Sequence, residues 1–145
     1  MNKTIIIFLI LFGSISADKH NISLGMWDDK TGFSIIGYSY NFKQNEMNEY
    51  FIGGGTAILA FTATIGWKHY YKKSKFSLYS ILSEQAVAHM GFTGYLTSLS
   101  ISLDYDLNDW ANIKLGGFSG FVIRTDQCCN EILPLYPFIG MEFKF

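Results

Sequence analysis

The residues best suited to chemistry in this chain are His89, Ser83 and the adjacent pair Cys128 and Cys129. His89 closes the stretch KFSLYSILSEQAVAH, with Ser83, Glu84 and Gln85 just before it. A serine nucleophile needs a base within hydrogen-bond reach. Six residues separate Ser83 from His89, about 20 Å along an extended strand at roughly 3.3 Å per residue. Catalysis would therefore need a Ser or acidic partner brought to His89 by folding. Adjacent cysteines close a strained ring that staples no useful loop. Free thiols and a metal site are the other readings, but only Asp126 and Glu131 stand beside them, with no histidine near. Gly53-Gly54-Gly55 precedes no helix and lacks a following Lys-Ser/Thr, so it is not a phosphate loop. It reads as a strand bend or bulge. No HExxH or CxxC occurs, and no catalytic, cofactor-binding or metal-binding residue is assigned.

The elements that would position these residues follow a period of two. In LTSLSISLDYDLND, Leu99, Ile101, Leu103, Tyr105 and Leu107 fall on one side, and Ser98, Ser100, Ser102, Asp104 and Asp106 on the other. Strand side chains alternate between faces, so this is a long strand with one apolar and one polar face. After the Asn108-Asp109 turn, Ala111, Ile113, Leu115, Phe121 and Ile123 alternate with Asn112, Lys114, Gly116, Gly120 and Arg124, while Phe118 and Val122 break the pattern. Upstream, Ile22, Leu24 and Met26 form one apolar side before DDKTG (28–32) turns the chain. Ile36, Tyr38, Tyr40 and Phe42 form the next, followed by the loop KQNEMN and the strand YFIGGGTAIL. Phe61, Ala63, Ile65 and Trp67 continue the pattern, and YPFIGMEFKF is the last strand, after the loop TDQCCNEILP. The strand 75–90 has two possible registers: the one set by Phe76 and Leu78 puts Glu84 among the apolar positions, unless a bulge near Ser83 resets it.

Composition narrows the class. Aromatics make up 17% and charged residues only 16%, against about a quarter charged in ordinary soluble domains. Residues 1–17, MNKTIIIFLILFGSISA, have a basic start, a short apolar middle and small residues at the end, as a secretory signal peptide does. Residues 18–145 then form one domain. Without Lys3, its ten basic and twelve acidic side chains give a net charge near −2, with no basic surplus for nucleic acid. No mature stretch is long and apolar enough for a transmembrane helix.

About eight strands, most near the length a tilted membrane strand needs, predict an all-β, closed antiparallel up-and-down barrel, because closure removes aggregation-prone edges. A soluble barrel would turn its apolar face inward around a hydrophobic ligand, and a transmembrane barrel would turn it outward to lipid. The polar face is rich in Ser, Thr and Gly, with Lys68, Lys114 and Arg124 to offset Asp104, Asp106 and Glu142. That mixture suits a narrow, filled lumen better than a water-facing surface. Trp67, Tyr70 and Tyr71 beside Lys72, Lys73 and Lys75, Trp27 beside Asp28-Asp29, and Trp110 beside Asp109 fit a lipid–water boundary. His20 and His69 read as boundary residues.

The ending GMEFKF, with Phe145, Phe143, Met141 and Ile139 at alternate positions, resembles that of bacterial outer-membrane β-barrel proteins. The resemblance implies an outer-membrane location, contact with outer-membrane lipid, and a terminal strand read by the barrel-assembly machinery. It implies both termini in the periplasm, loops 28–32, 59–61, 90–94 and 125–135 outside, and turns 43–49, 72–75 and 108–109 on the periplasmic side. Pro137 departs from the pattern by removing a ladder donor. Some small barrels of this class are lipid A hydrolases or acyltransferases; the hydrolases carry His-x-Ser on one strand face, where this chain has Gly91 two residues after His89. The expected role is structural or surface-interactive, with a lipid-modifying enzyme or a soluble hydrophobic-ligand binder as alternatives.

Overall fold

The computed structural model describes residues 19–89, 92–124 and 130–145. Residues 1–17, expected to be a signal peptide, and Cys128-Cys129 lie outside them, as does the side chain of Arg124. Eight strands, β1 (His20–Met26), β2 (Ile36–Gln44), β3 (Asn48–Ala57), β4 (Ala60–Lys72), β5 (Phe76–His89), β6 (Phe92–Asn108), β7 (Ala111–Arg124) and β8 (Asn130–Lys144), form a closed barrel in sequence order. Each strand is antiparallel to its neighbours, and β8 closes the ring on β1 with Met141 opposite Leu24 and Phe143 opposite Ile22. His20 and Phe145 exchange backbone hydrogen bonds of 3.3 and 2.9 Å, so the last residue is held in the closing seam.

Alternation sets which side chains face out. Leu99, Ile101 and Leu103 are 54%, 58% and 48% exposed, whereas Ser100 and Ser102 between them are 3% and 2% exposed. The apolar face is the outer one, and most of the strand serines and the buried charges line the bore.

Strand β5 resolves its two readings without a bulge. It pairs with β6 residue for residue from Phe76↔Tyr105 to His89↔Phe92. Glu84 therefore stands on the outer wall, where it accepts a hydrogen bond of 2.6 Å from Thr97 Oγ1. Ser83, Tyr79 and Ile81 point inward. In β7, Phe118 breaks the apolar pattern because it points into the bore, where it is buried. Strand β8 begins at Asn130, not at Tyr136, and absorbs both prolines with a register shift opposite Phe118–Gly120. The expected outer loop 125–135 is correspondingly shorter.

The ends of the barrel differ. At the end carrying the termini, the turns are short and polar: Asn45 Oδ1 accepts from the amides of Met47 and Asn48, and Asn108 Oδ1 from that of Trp110, the local bonding that favours Asn in turns. At the other end β3 and β4 are joined by Ile58 and Leu59 alone, while residues 28–32 and Ser34 of the β1–β2 connection are buried inside the barrel. The segment 28–32 does reverse the chain, but it is not a loop facing outward: Asp28, Asp29, Lys30 and Thr31 are 3%, 3%, 1% and 0% exposed.

The three glycines of β3 explain how that segment fits. They pair in continuous register with both neighbours, so they mark neither a bulge nor a break. Gly53 and Gly55 face inward with Gly37 of β2. A Cβ on Gly53 would lie 2.6 Å from the carbonyl oxygen of Lys30, one on Gly37 would strike the Thr31 side chain, and one on Gly55 that of Ser34. The wall is bare where the folded-in segment presses on it. Gly53→Val is expected to cost about 1–3 kcal/mol by overpacking, whereas Gly54→Val, on the outer face, should change stability by less than about 1 kcal/mol. Urea titration of the folded fraction checks both; equal losses would show that inward bulk is not what matters.

Candidate functional site: the plugged bore

Residues 27–35 form a plug built on Asp28. Its backbone bonds reciprocally with Gly32 at 3.0 and 2.7 Å, and its Oδ1 accepts from the amides of Lys30 and Thr31 at 2.9 and 3.0 Å. Gly32 completes the reversal at φ 76°, a conformation glycine adopts at no steric cost. The result is a compact turn that presents two carboxylates and one ammonium to the barrel wall.

The wall answers each charge. Lys114 Nζ from β7 lies 3.1 Å from Asp28 Oδ2, 3.1 Å from Asp29 Oδ1, and against Glu142 of β8. Lys30 Nζ lies 3.1 Å from Glu49 Oε2 on β3 and 3.9 Å from Glu142 Oε1, and donates to Asn41 Oδ1 at 3.3 Å. Tyr79 donates to Asp29 Oδ2 at 2.8 Å and Tyr70 to Glu49 Oε1 at 2.9 Å. Lys68 pairs with Asp104 at 3.0 Å, its ammonium 3.6 Å from the Tyr79 ring centre and 4.6 Å from that of Tyr70. Among the described residues, three ammonium groups thus meet five carboxylates in the bore. Phe51, Tyr70, Tyr79 and Ile81 pack as an apolar cluster beside them.

Of the charges expected to offset one another in the lumen, Lys68 meets Asp104 and Lys114 meets Glu142. Asp106 instead pairs with Lys144 at 3.1 Å, half-exposed at the terminus end. Tyr70 is corrected from boundary residue to bore residue, because alternation turns it opposite to Trp67 and Tyr71. Asp28, Asp29, Lys30 and Glu49 were missed as lumen residues: a polar DDKTG run looks like a solvated turn until Gly37, Gly53 and Gly55 are seen to clear space opposite it.

Buried polar atoms of Thr64, Ser100, Ser102 and Asn112 have no protein partner. Among the described residues no cluster of His, Cys, Asp and Glu is arranged to hold a metal ion.

The residues first singled out for catalysis stay apart. Ser83 Oγ bonds to Ser98 Oγ at 2.9 Å and accepts from Gln85 at 3.3 Å, deep in the bore. His89 stands six residues on, at the open end. His20 bonds to Tyr38 and His69 to Asn48, both on the outer side near the terminus end.

Removing one partner from a buried ion cluster leaves the others uncompensated, at about 3–5 kcal/mol. Lys114→Met strips Asp28, Asp29 and Glu142 of their shared cation and is expected to cost that much in urea unfolding. Lys144→Met, at the half-exposed pair, should cost no more than about 1 kcal/mol. Equal effects would mean that the cluster does not hold the plug.

No protein-family profile, curated protein or solved structure matches this chain.

Proposed function

We propose that this protein is an integral outer-membrane β-barrel, exported through residues 1–17 and assembled through its C-terminal strand, with a structural or surface-interaction role rather than transport. The observation that carries the reading is the inversion of polarity: buried ions inside, bare hydrocarbon outside.

The outer face supports it in detail. On β6 the outward positions run from Tyr95 to Tyr105 through Leu99, Ile101 and Leu103, ten residue steps. At roughly 3.3 Å per step and a tilt of about 40°, that is about 25 Å of height, the apolar band of a membrane barrel. Around the terminus end, Tyr38, Phe42, Trp67, Tyr71, Phe76, Trp110 and Phe145 are all exposed, and Phe76 pairs with Tyr105 and Trp110 with Phe143 at centroid distances of 4.6 and 5.9 Å. An aromatic ring at one level is what a lipid–water boundary selects. Outward polar groups within the band bond to neighbouring strands: Glu84 to Thr97, Ser80 to Tyr71, and Ser119 to the Leu133 carbonyl.

A soluble ligand carrier would need the opposite arrangement, with Leu99, Ile101 and Leu103 inside. A pore would need an open bore, whereas Tyr79, Phe51, Lys30, Lys68 and Lys114 fill this one. Two measurements test the reading together. Detergent-extracted protein should migrate faster on gels unboiled than boiled, and in planar bilayers it should show no steady conductance. Protein that stays monomeric in buffer without detergent would end the membrane reading, and a large, steady conductance would end the filled bore.

A further inference from the structure

We propose that the end of the barrel opposite the termini binds a single acyl chain of a bilayer lipid, admitted sideways over the Ile58–Leu59 turn. The proposal rests on the membrane reading for the source of the chain.

The bore changes character at one level. Inward positions on β6 run Asp104, Ser102, Ser100, Ser98 and then Leu96; on β5 Gln85 gives way to Val87, and on β4 Thr62 to Ala60. On β7, Lys114 lies below while Phe118 and Val122 lie above. Leu96, Val87, Ala60 and Val122 line a cavity of 260 Å³ together with Trp27, Phe33, Leu133 and His89. Trp27 is its floor, stacked on Phe118 with ring centres 3.8 Å apart and planes 4° from parallel, and Phe33 meets its edge at 5.7 Å. Below Trp27 every bore ammonium is already engaged by carboxylates. The cavity therefore offers hydrocarbon a place, and its one basic lining residue, His89, stands at the very end of β5, so a chain is held inside while the head stays at the rim. Apolar cavities with few polar groups, set in the mouths of barrels, are typical ligand sites.

The way in is also apolar. A second recess of 370 Å³ shares Trp27, Phe33 and His89 with the first and continues over Ile35, Ile58 and Leu59. Those three are 44%, 86% and 52% exposed, so a mostly apolar surface leads from the outer wall across the lip. Two-residue hairpin turns ordinarily carry Asn or Gly where φ is positive. Here a branched Ile58 is held at φ 51°, and Trp27 at φ 75°. Backbone strain of this kind clusters at ligand clamps, and both strained residues border the proposed path.

The test uses indole fluorescence, since bromine on a lipid chain quenches tryptophan on contact. One protein keeps only Trp27 (Trp67→Phe, Trp110→Phe) and a second keeps only Trp67 (Trp27→Phe, Trp110→Phe), each folded into phosphatidylcholine vesicles of increasing chain-brominated fraction. Trp27 should be quenched saturably. Val122→Phe or Val87→Phe, each filling the cavity, should raise the brominated fraction needed by about tenfold, the effect of a typical overpacked site. Unboiled gel mobility shows which of the two variants keeps the fold. Trp27 quenching that is absent, or unchanged by the filling substitutions, overturns the acyl-chain site. An unquenched Trp67, which faces outward, would instead overturn the membrane reading.

Discussion

The ammonium of Lys114 is the point on which the interior depends. It is fully buried and is met by Asp28, Asp29 and Glu142. An ion in that position is tolerable only while its partners stay in place, and two of those partners are carried by a segment that could otherwise swing into water. The cluster thus acts less as a source of net stability than as a specification. It fixes where residues 27–35 lie, and through Tyr79 and Lys68 it ties that position to β4, β5 and β6.

The plug and the wall opposite it are complementary in two ways. Charge fixes one side, through Lys114, Glu49 and Glu142. Absence of bulk fixes the other, through Gly37, Gly53 and Gly55. Glycine in a strand interior sacrifices packing and β-propensity, so three inward glycines on adjacent strands need a cause, and the plug backbone against Gly53 supplies it. The same argument explains the filled bore: an eight-stranded barrel encloses about enough room for side chains, and inserting a loop requires thinning the wall that faces it.

How much of this was legible in the sequence divides by range. The eight strands and their closed antiparallel order follow from period-two alternation, which is local and survives any tertiary context. Even the exceptions carried information: of the two residues that broke the outward pattern, Phe118 is buried against Trp27 and Val122 lines the mouth. Glu84 looked like evidence for a bulge because an outward carboxylate conflicts with an apolar wall, but its hydrogen bond to Thr97 on the next strand resolves the conflict without changing register. The plug was not legible. DDKTG has the composition of an exposed turn, and only contacts across 85 and 86 residues of sequence, from Lys114 to Asp29 and Asp28, give it an inside position. Tyr70 was misplaced for a related reason: a cluster of aromatics beside lysines is the signature of a boundary, yet one residue in that cluster must point the other way. Pro137, which removes a ladder donor, put the start of the last strand in question, and the ladder continues past it to Asn130.

The two ends of the bore are coupled by sequence adjacency. Trp27, the floor of the apolar mouth, immediately precedes Asp28, the anchor of the ion cluster, so the position of the indole is set by charges beneath it. A strained φ at Trp27 is what such a junction requires: the chain must leave the barrel wall at the end of β1, turn inward, and place an aromatic plane across the bore within one residue. Strain at that point is sustained because ions below and the Phe118 stack above over-determine it. The polar plug and the apolar mouth are therefore one device rather than two, and the boundary between ions and hydrocarbon inside the barrel is drawn by a single residue.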